Sequence, residues 1–136
     1  MSKNIKHIPL NNLKLDLENP RLPISFRKFQ RIQPSIINWL LEDTSIIKLM
    51  LAIGQNDFFI GEALLVIKSD KPETYIVVEG NRRLASLFLL SDSSLADIHT
   101  RKIEKVLQET KFRQTHIPCI IFSKEMKFYS IWGVGI

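Results

Sequence analysis

The chain has 136 residues, 45% of them hydrophobic and 24% charged, with a net charge of +5 and a pI of about 9.5. This composition excludes a disordered or fibrous protein, and a length of this order lets one domain bury roughly two thirds of its unfolded surface without disulfide or metal staples. The basic balance favours anionic partners such as nucleotides or nucleic acid.

Ile5 to Leu10 reads as a short strand, with Pro9 marking an edge or a strand end, and Asn11-Asn12 reads as a turn. Asn19-Pro20-Arg21-Leu22-Pro23 is a loop, because each proline drives the residue before it out of the helical region. Arg27, Lys28 and Arg31 follow as a basic cluster around Phe26 and Phe29, either a solvated face or contacts to a DNA backbone.

Pro34 suits the first turn of a helix carrying Ile36, Ile37, Leu40 and Leu41. Asp43 or Thr44 can cap the next helix, with Ile46, Ile47, Met50 and Leu51 on one face and Gly54 as its stop. Ala63–Lys68 and Tyr75–Glu79 read as two strands of a hairpin joined through Ser69-Asp70-Lys71-Pro72-Glu73. Gly80 breaks the second strand, and residues 81–90 form a helix with Leu84, Leu87 and Phe88 on one face.

Ser91-Asp92-Ser93-Ser94 is a polar break. Leu95 to Phe112 reads as a largely exposed helix with Ile103, Val106 and Leu107 inward. Ile117–Phe122 is the last strand, and Lys124 opens a final helix with Phe128, Ile131 and Trp132 on its apolar face. The pattern predicts an α+β domain: a small mixed β-sheet of strands 5–10, 63–68, 75–79 and 117–122 with packed helices. Residues 1–136 read as one domain, the N-terminal part of a longer protein.

Cys119 is the single cysteine, so no internal disulfide can form and no Cys/His metal spacing exists. A reducing, cytoplasmic setting is expected. The polar start Met1-Ser2-Lys3-Asn4 is no signal peptide. No apolar run approaches the roughly 20 residues of a membrane helix, so no membrane partner is expected. His7, His99 and His116 are scattered without ligand spacing, and Trp39 and Trp132 fall at apolar helical positions suited to packing.

The segment most suited to chemistry is Glu79-Gly80-Asn81-Arg82-Arg83, a strand end, a glycine and a helix start. A helix start leaves backbone N–H groups unpaired and carries about half a positive charge. Gly80 permits close approach to the backbone. Arg82 and Arg83 supply charge-assisted donors shaped for phosphate. Two arginines in a first helical turn gain nothing from the helix dipole, so their structural explanation is only that they are solvated. Glu79 could hold Mg²⁺ beside a nucleotide or could pair with one of the arginines.

The run YIVVEGNRRLASLFLL (75–90) resembles a conserved block of the ParB/sulfiredoxin-like superfamily, a strand ending in Gly-Glu-Arg-Arg that runs into a helix. ENPRLP at 18–23 is similar to that family's first block. SIIKLMLAIGQNDF followed by EALLVIK is similar to the intervening helix and strand. The resemblance covers roughly residues 5 to 90, in order, and implies the ParB N-terminal-like fold of a prokaryotic protein. It also implies a CTP- or other NTP-binding module, with Mg²⁺, in a DNA-associated protein that dimerises at full length. By that resemblance Gly80, Arg82, Arg83 and Arg21 face the phosphates, and Asn81 is counted with them for its place at the helix start.

Asn81 departs from the usual glutamate of partition proteins, and it also stands where sulfiredoxins carry the catalytic cysteine, so sulfiredoxin chemistry is not expected. Alternatives are a metal-dependent nuclease or phosphotransferase using Glu79, or a protein-interaction domain. An enzyme would need a second acidic group, for which the sequence offers Asp57, Glu62 and Glu73.

Overall fold

A computed structural model describes residues 5–16, 33–42, 45–56, 63–111 and 114–123. Among these are five strands, four α-helices and two 3-10 turns, an α+β protein built on a mixed sheet. Contacts divide the chain into two compact units. One comprises residues 1–16, 59–81 and 115–136, the other residues 17–58 and 82–114.

The first unit is the sheet. Its strands are β1 (Ile5–Pro9), β2 (Leu13–Leu15), β3 (Leu64–Lys68), β4 (Tyr75–Glu79) and β5 (His116–Phe122), in the order β1-β5-β3-β4-β2. β3 and β4 form the expected antiparallel hairpin, and β1 pairs antiparallel with β5. β3 with β5 and β2 with β4 run parallel. The four expected strands are present with bounds shifted by a residue: Leu10 opens a 3-10 turn (Leu10–Asn12) instead of ending β1, and β5 begins at His116.

β2 is a strand the sequence reading does not contain. The Asn11-Asn12 turn leads at once into three residues that lie parallel to β4, with Leu13 opposite Tyr75 and Leu15 opposite Val77. Register places Ile8, Ile117, Cys119, Leu64, Val66, Val77, Leu15 and Leu13 on one face, and all are buried. The opposite face carries Ile67, which is buried, and Ile5, Leu65, Ile76, Ile120 and Phe122, which are half-buried. Pro118 is tolerated inside the sheet because the β3 ladder on β5 begins one residue later, at the Leu64–Cys119 pair.

The second unit is helical. It contains α1 (Gln33–Leu41), α2 (Ser45–Asn56), most of α3 (Asn81–Ser91), a 3-10 turn (Ser93–Leu95) and α4 (Thr100–Glu109). On α1 and α2 the apolar spacing holds in part: Ile36, Ile37, Leu41, Ile46 and Met50 are buried as expected, Leu40, Ile47 and Leu51 are only half-buried, and Ile53, not among the expected residues, is buried. The expected cap residues Asp43 and Thr44 lie outside the described residues, as do Trp132 and the helix expected from Lys124. Helix α3 differs from expectation: every residue from Leu84 to Leu90 is buried, not one face alone. A run that is apolar on all sides belongs in the interior. Its one polar member, Ser86, donates from Oγ to the Arg82 carbonyl (2.9 Å).

The long helix expected over 95–112 is shorter. Asp92 accepts from the Ser94 N–H (3.1 Å) and starts a 3-10 turn, and His99 takes a left-handed conformation (φ 57°) before α4 opens at Thr100. Asn38 of α1 holds the intervening loop, donating to the Leu95 carbonyl (2.8 Å) and accepting from the Asp97 N–H (2.6 Å). Ile103 and Val106 are buried as expected, and Leu107 is half-buried.

Gly54 is not the stop of α2, which continues to Asn56. Its role is closeness. The Gly54 carbonyl accepts from the Lys111 N–H (2.8 Å), and a Cβ added there would lie 2.8 Å from Thr110 Oγ1 and 3.1 Å from its Cγ2. Thr110 Oγ1 cannot swing away without losing its bond to the Val106 carbonyl (2.8 Å). Gly54→Ala therefore overpacks this contact, and the strain outweighs the better helix propensity of alanine. The expected net loss is about 1 kcal/mol in urea denaturation. Adding Thr110→Ala should recover most of it.

Candidate functional site

The Glu79–Arg83 segment forms as its sequence suggests, with one residue between strand and helix. Tyr75-Ile76-Val77-Val78 is β-branched or aromatic and holds β4 in the sheet. Leu65 pairs with Glu79 and Val66 with Val77, so Val78 is an extra residue on β4, a bulge that adds twist just before the strand ends. Gly80 then takes φ 104°, outside the range open to residues with a Cβ, and Asn81 is already helical. The glycine is required by this reversal.

The first turn of α3 contains no acidic residue. Arg82 is exposed and Arg83 half-buried, in keeping with side chains that project about 100° apart on a helix. The Arg82 carbonyl is tied to Ser86 inside the helix. Glu79 is half-buried at the end of β4, across from Leu65.

Asn81 is engaged at both ends of its side chain. Oδ1 accepts from the Asp16 N–H (3.1 Å), and Nδ2 donates to the Val77 carbonyl (2.9 Å). The Asn81 side chain is thus committed to the sheet, and a helix start leaves backbone N–H groups without an intrahelical acceptor.

The same bond brings Asp16 to the turn, a residue that the sequence reading did not single out. It is 3% exposed and stands at the end of β2, beside the end of β4 because the two strands run parallel. Its one sequence signal is an acid directly after the apolar alternation of Leu13-Lys14-Leu15. Of the acidic groups expected near the turn, Glu73 is exposed at the hairpin (φ 60°), at the far end of β4, roughly 20 Å of strand away. Asp57 and Glu62 lie outside the described residues, as do Arg21, Arg27, Lys28 and Arg31.

Among the described residues no group of three or more His, Cys, Asp or Glu could hold a metal. His7 and His116 are exposed, and His99 and Trp39 are half-buried. Among them, too, no helix is long and apolar enough to cross a membrane. Cys119 is buried, with its thiol directed at the Ile117 carbonyl (3.3 Å), and burial pushes its pKa up to about 12.

No family model matches the chain, and no curated protein matches it in sequence. Among solved structures it is similar to the C-terminally truncated chromosome-partitioning protein ParB from Caulobacter crescentus complexed with CTP-gamma-S, at 14% identity and a TM-score of 0.49. The match covers 88% of this chain and 44% of that one, so the chain spans less than half the length of that protein.

Two outcomes follow from this geometry. Gly80→Ala should destabilise the fold by about 1–3 kcal/mol in denaturant titration, because a Cβ is strained at φ 104°. Cys119 should label slowly with thiol reagents at neutral pH, at the rate of unfolding. The folded thiol titrates above the unfolded one, so its contribution to stability is complete below about pH 9 and is lost as pH rises toward about 12. A pH series of unfolding midpoints checks the sign.

Proposed function

We propose that this chain is a nucleotide-binding module of a DNA-associated protein, one that holds the phosphates of CTP or another nucleoside triphosphate at the Gly80-Asn81-Arg82-Arg83 turn. One observation carries the reading: a glycine at φ 104° opens directly into an eleven-residue helix whose first turn has two arginines and no acid. Backbone donors, the positive end of the helix dipole and two fork-shaped cations coincide on one short stretch of chain, the arrangement that favours phosphate. The resemblance of residues 75–90 to the ParB/sulfiredoxin-like superfamily supports the same assignment.

In this reading each group has a distinct task. Gly80 admits a phosphate oxygen to the backbone, and the N–H groups at the start of α3 donate to it. Arg82 and Arg83 neutralise charge from different directions, and Arg21 adds a third cation. Mg²⁺ bound with the nucleotide would supply further neutralisation of phosphate charge. It takes one or two carboxylates and keeps several waters, a demand Glu79, half-buried beside Gly80, fits without a dedicated cluster. Arg27, Lys28 and Arg31 are assigned to DNA backbone, and the chain to the N-terminal part of a longer cytoplasmic protein that dimerises.

Calorimetric titration of CTP, ATP and GTP with Mg²⁺ tests this. Each charge-assisted hydrogen bond contributes about 1.5–3 kcal/mol, so loss of the arginine that meets the phosphate should weaken binding roughly 10- to 100-fold. Arg82→Ala and Arg83→Ala should differ in size, and both variants should keep the fold. The reading is wrong if no triphosphate binds more tightly than millimolar, or if binding is indifferent to both arginines.

A further inference from the structure

Asn81 does more than start a helix. Its planar amide is held from two sides, by a backbone donor at Asp16 and a backbone acceptor at Val77. The two ends cannot be exchanged, because one partner gives a proton and the other receives one. The side chain therefore has one orientation that satisfies both.

The Asp16 end of this bridge matters most. Among the described residues β2 is an edge strand of three residues that pairs with β4 alone. A short parallel ladder makes few hydrogen bonds and is weak by itself. The bond from the Asp16 N–H extends the attachment of β2 one residue beyond that ladder.

We propose that Asn81 is a positioning residue that couples occupancy of the turn to the end of β2 at Asp16. The inference rests on the phosphate reading of the turn. An anion that draws on the backbone N–H of Gly80 or Asn81 reorients the Asn81 backbone. Its side chain, pinned at both ends, transmits the change to Asp16. The coupling runs through one residue and two hydrogen bonds.

Amide chemical shifts of the 136-residue chain, followed during titration with inorganic pyrophosphate, provide the test. In the wild type, the Gly80 and Asn81 backbone amides should move. The Asn81 side-chain amide and the Asp16 N–H should move with the same midpoint. In Arg83→Ala the midpoint shifts to higher pyrophosphate, while Asp16 still responds at saturation. In Asn81→Ala the Gly80 amide still responds but the Asp16 response is lost, and hydrogen exchange at Asp16 speeds up roughly 10-fold, the loss of about one hydrogen bond.

If the Gly80 and Asn81 backbone amides stay still in the wild type, the phosphate reading fails and the coupling with it. If they move while Asp16 and the Asn81 side chain do not, the coupling is overturned and the phosphate reading stands. The wild-type titration decides both even if Asn81→Ala does not fold.

Discussion

The reversal at Gly80 is the constraint around which the sheet end is organised. A chain that leaves a strand and enters a helix within one residue needs a backbone torsion that side chains oppose, and Gly80 supplies it at φ 104°. The features on either side follow from it. The Val78 bulge twists β4 as it ends, and Asn81, already helical, folds its side chain back to the Val77 carbonyl. The same side chain reaches Asp16, so the end of β2 is fixed to the same turn.

Charge at this turn is of the sign that the helix dipole does not favour. A helix start favours acids, and cations there cost about 0.3–1 kcal/mol each through the dipole. Arg82 and Arg83 sit at that end with no acid in the turn. The helix itself is secured by the buried run from Leu84 to Leu90.

Much of this architecture is legible in sequence, and the exceptions have physical causes. Long alternating or β-branched runs mark β1, β3, β4 and β5, and Gly80 between a strand pattern and a helix pattern marks the turn. β2 is not legible because three residues do not establish a period, and its partner β4 lies about sixty positions away. Gly54 reads as a stop because glycine ends many helices, whereas here the missing Cβ admits Thr110, a tertiary reason. His99 hides the true start of α4, since a left-handed histidine has no sequence signature. In the candidate site the backbone elements and the two arginines are readable. The engagement of the Asn81 side chain and the presence of Asp16 depend on strand pairing and are not.

The strand order also sets how the chain can fold. Among the described strands only β3 and β4 are neighbours in both sequence and space, joined through residues 69–74. Every other pairing closes a long loop, the extreme being Ile5 with Ile120, 115 positions apart. Closing such loops costs entropy before any contact repays it, so the hairpin is the natural nucleus and the outer strands join late. During synthesis β1 emerges first and its partner β5 last. The ribosome therefore delivers an edge strand that must wait, with its hydrogen-bonding groups open, until more than a hundred further residues have been made. The exposed Lys6 and the strand-ending Pro9 suit that interval, because a charge and a missing donor both discourage pairing with another nascent chain.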